Sequence, residues 1–265
     1  NLDRFSTTWV SAWPDRDACL SNAEFGEVVT QYFGLPSPSC ETLRGQRIGN
    51  TRNVLDAHGL RLTTSSLPGD GWRVQHDALK WRLTEDIRTM QVHATTEVYG
   101  LFAPLIPQEG RLHLDGAPRR QRQGMVPDFL LYDPDAGPEQ ACLMELKTLH
   151  CGISTYPSVA ERCAAVAGRA RALHGEYVSK ARAIDVRFCG TPPGDDGPMT
   201  RKLLSCGTVR GLLFGAWGEA SPDIHHLLSL LARQGARAKW RSMGWPDEAS
   251  AVGCLAWLLR RRWGM

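Results

Sequence analysis

The chain has 265 residues, a formal net charge of +3, 42% hydrophobic residues and 22% charged residues. These values are ordinary for a soluble globular protein of one large or two small domains. The sequence shows no apolar run long enough to cross a bilayer and no signal peptide, so we expect no membrane partner. Eight scattered cysteines, with no Cys-x-x-Cys pair, indicate a reducing, intracellular compartment rather than a zinc ribbon.

Apolar spacing and turn residues divide the chain into predicted elements. Residues 40–71 contain few apolar runs and several glycines, which indicates a loosely structured connection. The elements predicted elsewhere, in chain order, are a helix at 21–33, a helix at 75–90, a strand at 91–103, strands at 126–132 and 141–147, a helix at 158–183, a strand at 184–189, a loop at 190–207, a strand at 209–217, and helices at 222–234 and 247–262.

Two apolar segments in the middle of the chain carry the charged residues of greatest interest. Asp128 lies in the first segment, Glu145 and Lys147 lie in the second, and the polar loop 133–140 between them is typical of a hairpin. Residues i and i+2 of a strand point to the same face, so Glu145 and Lys147 project together, and Asp128 joins them if the strands pair. Two carboxylates and an ammonium in an apolar frame are costly unless they bind something, and a hard divalent cation suits them.

The order Pro127-Asp128, sixteen intervening residues, then Glu145-Leu146-Lys147 resembles the motif of the PD-(D/E)xK nuclease superfamily. The resemblance spans about residues 75 to 230 as a pattern of elements. It implies an α/β fold with a restriction-endonuclease-like mixed central sheet flanked by helices, with the core order α-β-β-β-α-β and extra N- and C-terminal helices. It also implies a divalent-metal-dependent deoxyribonuclease, a hydrolase that cleaves phosphodiester bonds with Mg²⁺ or Mn²⁺.

The resemblance gives each motif residue a role. Asp128 and Glu145 would bind the metal through carboxylates, and Leu146 would bind it through its backbone carbonyl. Lys147 would orient or help deprotonate the attacking water and stabilise the transition state; beside two carboxylates it should stay protonated, which favours the electrostatic role. The family adds an acidic residue from the first helix or strand, and the candidates here are Glu85, Asp86 and Glu97.

Further residues are candidates for DNA contact. Tyr177 and Lys180 lie on the predicted helix that follows the motif, where the family often places phosphate-binding side chains. Basic and aromatic clusters add phosphate-neutralising charge and stacking surfaces. The residues chosen from these clusters are Arg119, Arg120, Arg122, Lys239, Trp240 and Arg241. A solvated charged face or core packing is the alternative for each cluster.

A second resemblance is narrower. One series of residues is similar to the restriction-like endonuclease region at the C-terminus of some eukaryotic non-LTR retrotransposon polyproteins. The series is Asp56-Ala57-His58-Gly59, then His76-Asp77, Glu97 and Pro127-Asp128. It implies an endonuclease or nickase of a mobile element, a nuclear location if the source is eukaryotic, and a chain that is part of a longer protein. The cysteines that bind zinc upstream of that region in those elements are missing here.

These expectations define three predicted regions. They are an N-terminal helical and loop extension at 1–71, the nuclease core at 72–235 and a basic helical extension at 236–265. The predicted partner is DNA, with the protein acting either as a homodimer or within a larger polyprotein. The alternative is a catalytically inactive nuclease-fold module for DNA binding or assembly. The sequence does not decide whether the protein is an endonuclease or an exonuclease, whether its substrate is DNA or RNA, or which sequence it prefers.

Overall fold

A computed structural model gives the arrangement of the chain, and it describes residues 20–63, 65, 71–98, 100–108, 125–132, 141–149, 158–215 and 218–263. Helices in this part of the chain are long where apolar residues recur at helical spacing. They are α1 (Asn22–Tyr32), α2 (Pro38–Thr42), α3 (Leu60–Thr63), α4 (Gly71–Thr89), α5 (Val159–Phe188), α6 (Pro198–Ser205), α7 (Pro222–Lys239) and α8 (Glu248–Trp263). No helix among the described residues is long and apolar enough to cross a membrane.

Four strands form one mixed sheet in the order β1-β2-β3-β4. They are β1 (Ala94–Thr96), β2 (Phe129–Tyr132), β3 (Ala141–Leu149) and β4 (Arg210–Gly215). β2 pairs with β1 and β3 in antiparallel fashion, and β3 pairs with β4 in parallel fashion. The predicted α/β class is therefore confirmed, with helices flanking a mixed sheet.

Both faces of the sheet are buried by helices. One face, which includes Phe129 and Leu146, packs against α4, α7 and α8 in the largest hydrophobic cluster. The other face, which includes Leu143, packs against α5 and α6. Burial on both sides explains why β2 and β3 are continuous apolar runs rather than alternating ones. Glu145 and Lys147 share the face of Leu143, so both project toward α5.

The close approach of α5 to β4 depends on one glycine. Gly211 is paired with Glu145 across the parallel ladder, and a Cβ at this position would lie 2.8 Å from Ala170 Cα and 2.9 Å from Leu173 Cδ1. These distances are shorter than real side-chain contacts. A glycine here therefore lets α5 lie close to the sheet beside Glu145.

The predicted strand at 184–189 is wrong, because α5 continues to Phe188. The alternation Ile-Asp-Val-Arg-Phe favours a strand locally, but tertiary contacts favour the helix. Ile184 is buried with Ala181 one turn earlier, whereas Val186 is 40% exposed. Asp185 is fully buried and accepts hydrogen bonds from the Met199 and Thr200 amides.

The predicted loop at 190–207 contains helix α6, and this part of the prediction is also wrong. The residue before the helix is Gly197, which offers no capping side chain. Asp185, distant in sequence, caps the helix instead, so the usual local signal of a helix start is missing. The last strand of the predicted order α-β-β-β-α-β is the one at 184–189, so the order is found only with β4 in its place and α6 inserted before it.

The strand predicted at 91–103 is confined to Ala94–Thr96. Glu97 adopts a left-handed backbone with φ +52°, which ends the strand, and a 3-10 turn follows at Ala103–Leu105. The described residues between 40 and 63 are more ordered than predicted. Cys40, Ile48 and Leu55 form a small buried cluster there. The division into three regions stays a prediction, although the boundary at 235 falls inside α7.

Two glycine-to-alanine changes test the packing of α5. Gly211→Ala should lower the free energy of unfolding by about 1–3 kcal/mol, because the added methyl group overlaps the α5 backbone. Gly168→Ala is the matched control on α5 itself, where an added Cβ meets nothing within 4 Å. It should raise stability by roughly 0.5–1 kcal/mol through helix propensity. Urea denaturation measures both, and equal effects of the two changes would contradict this packing.

Candidate functional site

Three acidic residues lie at the same level of the sheet. Thr96 on β1 and Met144 on β3 are both paired with Phe129 on β2. The neighbouring residues on the three segments are Glu97, Asp128 and Glu145. The Glu97 amide donates a 3.0 Å hydrogen bond to the Asp128 carbonyl, which continues the β1–β2 pairing by one residue. Strand register therefore brings together acids that are far apart in sequence.

The carboxylate of Asp128 is buried, with 8% of the residue exposed, and both its oxygens have protein partners. Oδ2 accepts a 2.9 Å hydrogen bond from the Leu146 amide and lies 3.6 Å from His76 Nε2. Oδ1 lies 3.2 Å from Lys80 Nζ. Burial by itself raises the pKa of the Asp128 carboxyl, but the hydrogen bonds from His76 and Leu146 and the charge of Lys80 outweigh burial and hold it below its ordinary value. Asp128 is therefore ionised.

Glu145 is similarly buried and interacts with two residues of the α5 side. Lys147 Nζ donates to its Oε1 at 2.6 Å, and the Tyr177 hydroxyl donates to its Oε2 at 2.6 Å. Burial, followed by the negative charge of Glu145, raises the pKa of Tyr177. The phenol therefore keeps its proton and acts as a fixed donor that orients the carboxylate.

Helix α4 contributes two residues to the other side of the site. His76 and Lys80 are one turn apart and share a face of the helix. His76 Nε2 lies 3.2 Å from the Leu146 carbonyl oxygen as well as near Asp128, and both neighbours are acceptors, so this nitrogen carries a proton. The hydrogen bond to Asp128 raises the pKa of His76 above its ordinary value of 6.5, although burial opposes the shift.

The ammonium of Lys80 lies between two carboxylates. It contacts Glu97 Oε1 and Asp128 Oδ1, and only 14% of its side chain is exposed. Burial by itself lowers the pKa of Lys80, but the hydrogen bonds and charges of Glu97 and Asp128 outweigh burial and raise it. Lys80 is therefore a fixed positive charge within the row of acids.

Lys180 lies on the same side of the sheet as Lys147. Burial of its ammonium lowers the pKa of Lys180, and repulsion from Lys147 acts in the same direction, while Glu145 acts against it. More than a third of the surface of Lys180 is exposed to solvent. The lowering of its pKa therefore comes from protein atoms near the ammonium group, and not from burial of the whole side chain. Lys147, with 43% of its side chain exposed, and Lys180 give the α5 side of the site accessible positive charge.

The structure places the other acidic candidates away from this cluster. Glu85 lies five residues after Lys80, on roughly the opposite side of α4, and pairs with Arg88 at 3.5 Å. Asp86 is fully buried beneath the C-terminal helix, where Trp263 Nε1 donates to its Oδ2 at 2.8 Å and Arg262 lies 2.9 Å from its Oδ1. The predictions of Glu85 and Asp86 as metal ligands do not fit these positions, whereas Glu97 adjoins Asp128.

The aromatic and basic candidates near the C-terminus lie at the far end of α4. Lys239 Nζ donates to the Thr89 carbonyl, thirteen residues or about 20 Å along the helix from His76. Trp240 packs against the main hydrophobic cluster, and the Arg241 guanidinium lies 5.0 Å from the centre of its ring. These three residues are not part of the acidic site. Arg119, Arg120 and Arg122 lie outside the described residues.

The sequence includes His76 only in the narrower motif resemblance, without a role in the site, and offers no role for Lys80. Their signal is their spacing: two residues one turn apart that interrupt the buried side of α4 near Leu79 and Leu83. On an isolated helix this pattern equally indicates solvated surface. The partners of Lys80 are 17 and 48 residues away, so only the strand register reveals its role.

The residues that could hold a cation are the carboxylates of Asp128 and Glu145 and the carbonyl of Leu146. All are hard oxygen ligands of the kind that Mg²⁺ prefers. Within the described parts of the chain, no group of three or more His, Cys, Asp or Glu side chains is arranged to hold a metal ion. Any ion here would therefore complete its coordination with water or substrate.

Comparison of the chain with protein-family models, with curated proteins and with solved structures gave no significant match. Functional assignment therefore depends on the geometry of the site and on the motif.

The ion pair between His76 and Asp128 should make stability depend on pH. The pKa of His76 is raised on folding, so its stabilising effect is full below 6.5 and is lost as pH rises through the folded-state pKa. The pKa of Asp128 is lowered from 3.8, so its effect is constant above that range and is lost only in acid. The stability advantage of the unmodified protein over His76→Gln should therefore be larger at pH 5.5 than at pH 8.5.

Urea denaturation in the presence of EDTA measures this difference without interference from metal ions. The matched control introduces His76→Gln into Asp128→Asn, where the partner charge is absent and the pH dependence of the difference should shrink. If Asp128 is intact and His76→Gln lowers stability by the same amount at pH 5.5 and at pH 8.5, the result would contradict the ion pair.

Proposed function

We propose that this protein is a divalent-metal-dependent deoxyribonuclease that hydrolyses DNA phosphodiester bonds, and that it acts as the endonuclease or nickase of a mobile element. The main support is the placement of Asp128 and Glu145 at the same level of neighbouring strands, with Lys147 bound to Glu145. The order of helix, three strands, helix and strand agrees with a restriction-endonuclease-like fold, which we propose as the finer description of the α/β architecture. The mobile-element assignment rests on the motif resemblance alone.

The donor set fits Mg²⁺ or Mn²⁺. Asp128 Oδ1 and both oxygens of Glu145 have one protein partner each, and because a carboxylate oxygen has two lone pairs, one direction on each of these three is still available. Asp128 Oδ2 faces both the Leu146 amide and His76. The Leu146 carbonyl, which His76 contacts, likewise has two lone pairs. When bound, a divalent ion in such a site lowers the pKa of a coordinated water and offsets charge on the phosphate.

The protein's own residues have distinct roles in this reaction. Asp128, Glu145 and Leu146 would hold the ion, and Lys147 would place positive charge beside the phosphate undergoing attack. Tyr177 holds the Glu145 carboxylate in one orientation through its hydroxyl. Lys180 supplies accessible charge for a neighbouring phosphate. A double-strand break requires two such sites, which a homodimer or two successive nicks would supply.

The same contacts support a second candidate, a catalytically inactive nuclease fold that binds DNA or serves in assembly. All four carboxylate oxygens of Asp128 and Glu145 already interact with protein groups, three of them with Lys80, Lys147 or Tyr177. An ion-pair network of this kind could hold the fold together without binding metal. Cleavage activity separates the two candidates.

The decisive experiment compares two changes of the same chemistry at different positions. Glu145→Gln should reduce cleavage of supercoiled plasmid in Mg²⁺ by about 100-fold or more, because a metal-binding carboxylate is lost. Glu85→Gln, on the far side of α4, should leave the rate unchanged. Lys147→Met should resemble Glu145→Gln, and EDTA should abolish cleavage by every variant.

End-labelled linear duplex, assayed in parallel, separates nicking from shortening at the ends. Equal rates for Glu145→Gln and the unmodified protein would contradict the proposed site. Tight DNA binding without cleavage, unaffected by Glu145→Gln or Lys147→Met, would favour the inactive module.

A further inference from the structure

Among the described residues of the site, the nuclease motif provides no role for His76 or for Lys80. Lys80 is the more informative of the two. It extends from α4 into the row of acids, and its ammonium contacts both Glu97 and Asp128. The motif's own lysine is Lys147, which lies on the opposite side and contacts Glu145. The site therefore has one fixed ammonium group at each end.

We infer that the site takes one divalent ion rather than two, and that the Lys80 ammonium stands where a second ion would bind, between Glu97 and Asp128. The inference rests on the proposed metal-dependent function and specifies its metal requirement. Lys80 is a positioning residue in this account, since it acts through Asp128 and through its charge.

The position of the ammonium supports this assignment. In two-metal sites the ions lie about 3.5–4 Å apart and are clamped on the same group of ligands. Asp128 is the central acid of the row, and its two oxygens face different partners. Oδ1 faces Lys80 at 3.2 Å, while Oδ2 accepts a hydrogen bond from the Leu146 amide and lies near His76. A second ion between Asp128 and Glu97 would occupy the volume of the Lys80 ammonium.

The charges of the site support the same conclusion. The ammonium of Lys80 already pairs with Glu97 and Asp128, and that of Lys147 pairs with Glu145. A single divalent ion then gives the site the excess positive charge that attracts a phosphodiester. A second divalent ion would have to enter a region that is already positive, next to a buried ammonium, and repulsion between like charges opposes this.

The small number of metal-binding side chains also favours one ion. No cluster of three or more metal-binding side chains is present in the part of the chain that the structure describes. Mg²⁺ tolerates such a site because it retains several waters and needs only one or two carboxylates. Two ions would both depend on Asp128, whose Oδ1 already faces the Lys80 ammonium.

The number of Mn²⁺ ions bound per chain tests the inference directly. Equilibrium dialysis with electron paramagnetic resonance of the free ion should give one bound Mn²⁺ for the unmodified protein. Lys80→Ala removes both the charge and the atoms that lie between Glu97 and Asp128, and should bind two. Lys80→Arg keeps the charge and should bind one. Lys202→Ala is the matched control on the exposed side of α6 and should bind one.

The outcomes are distinct. Two ions in the unmodified protein would overturn the inference and leave the nuclease proposal standing, and this result does not depend on whether Lys80→Ala folds. One ion in both the unmodified protein and folded Lys80→Ala would also overturn the inference alone. No bound Mn²⁺ in the unmodified protein would contradict the metal-dependent function itself and the inference with it.

Discussion

The buried charge of Asp128 is the constraint on which the arrangement of this site depends. An ionised carboxylate shielded from water is costly unless charges and hydrogen bonds compensate it. Its partners come from two directions: the Leu146 amide from the neighbouring strand, and His76 and Lys80 from helix α4. Satisfying one carboxylate thus fixes the rotation of α4 against the sheet. It also brings the Glu97 carboxylate to the same ammonium.

The opposite side of the site depends on packing as well as on the ion pair between Glu145 and Lys147. Gly211 lets α5 lie close to β4, and this places Tyr177 within hydrogen-bond distance of Glu145. The two carboxylates are therefore oriented by separate elements. A site whose ligands are oriented before the substrate arrives loses little free energy to rearrangement, which is what a metal-dependent hydrolase requires. In an inactive module the same contacts would only stabilise the fold.

Local patterns in the sequence predicted the α/β class and the elements that carry the motif. The apolar runs around Asp128 and Glu145 predict β2 and β3, because strands that are buried on both faces consist mostly of apolar residues. Prediction failed where distant residues decide the structure. Asp185 lies in the part of α5 beyond residue 183 and caps α6 from there. Helix α6 therefore needs no capping residue of its own, and its start has no local signal in the sequence.

The site shows the same division between local and distant information. Asp128, Glu145 and Lys147 are predictable because they interrupt apolar strands, and Tyr177 is predictable from its place on the following helix. Lys80 is not predictable, because a lysine on a helix normally faces solvent. Asp86 was a candidate ligand from its helix position, yet it binds Trp263, 177 residues away. Sequence spacing within one element does not reveal such partners.

The central claim is that Asp128, Glu145 and the Leu146 carbonyl form a divalent-metal site. The most direct measurement is anomalous X-ray diffraction from a crystal of the unmodified protein soaked in Mn²⁺. The account predicts an anomalous peak at bonding distance from a carboxylate oxygen of Asp128 and one of Glu145, next to the Leu146 carbonyl. Anomalous peaks only at other positions, with Asp128 and Glu145 still bound to Lys80, Lys147 and Tyr177, would contradict it.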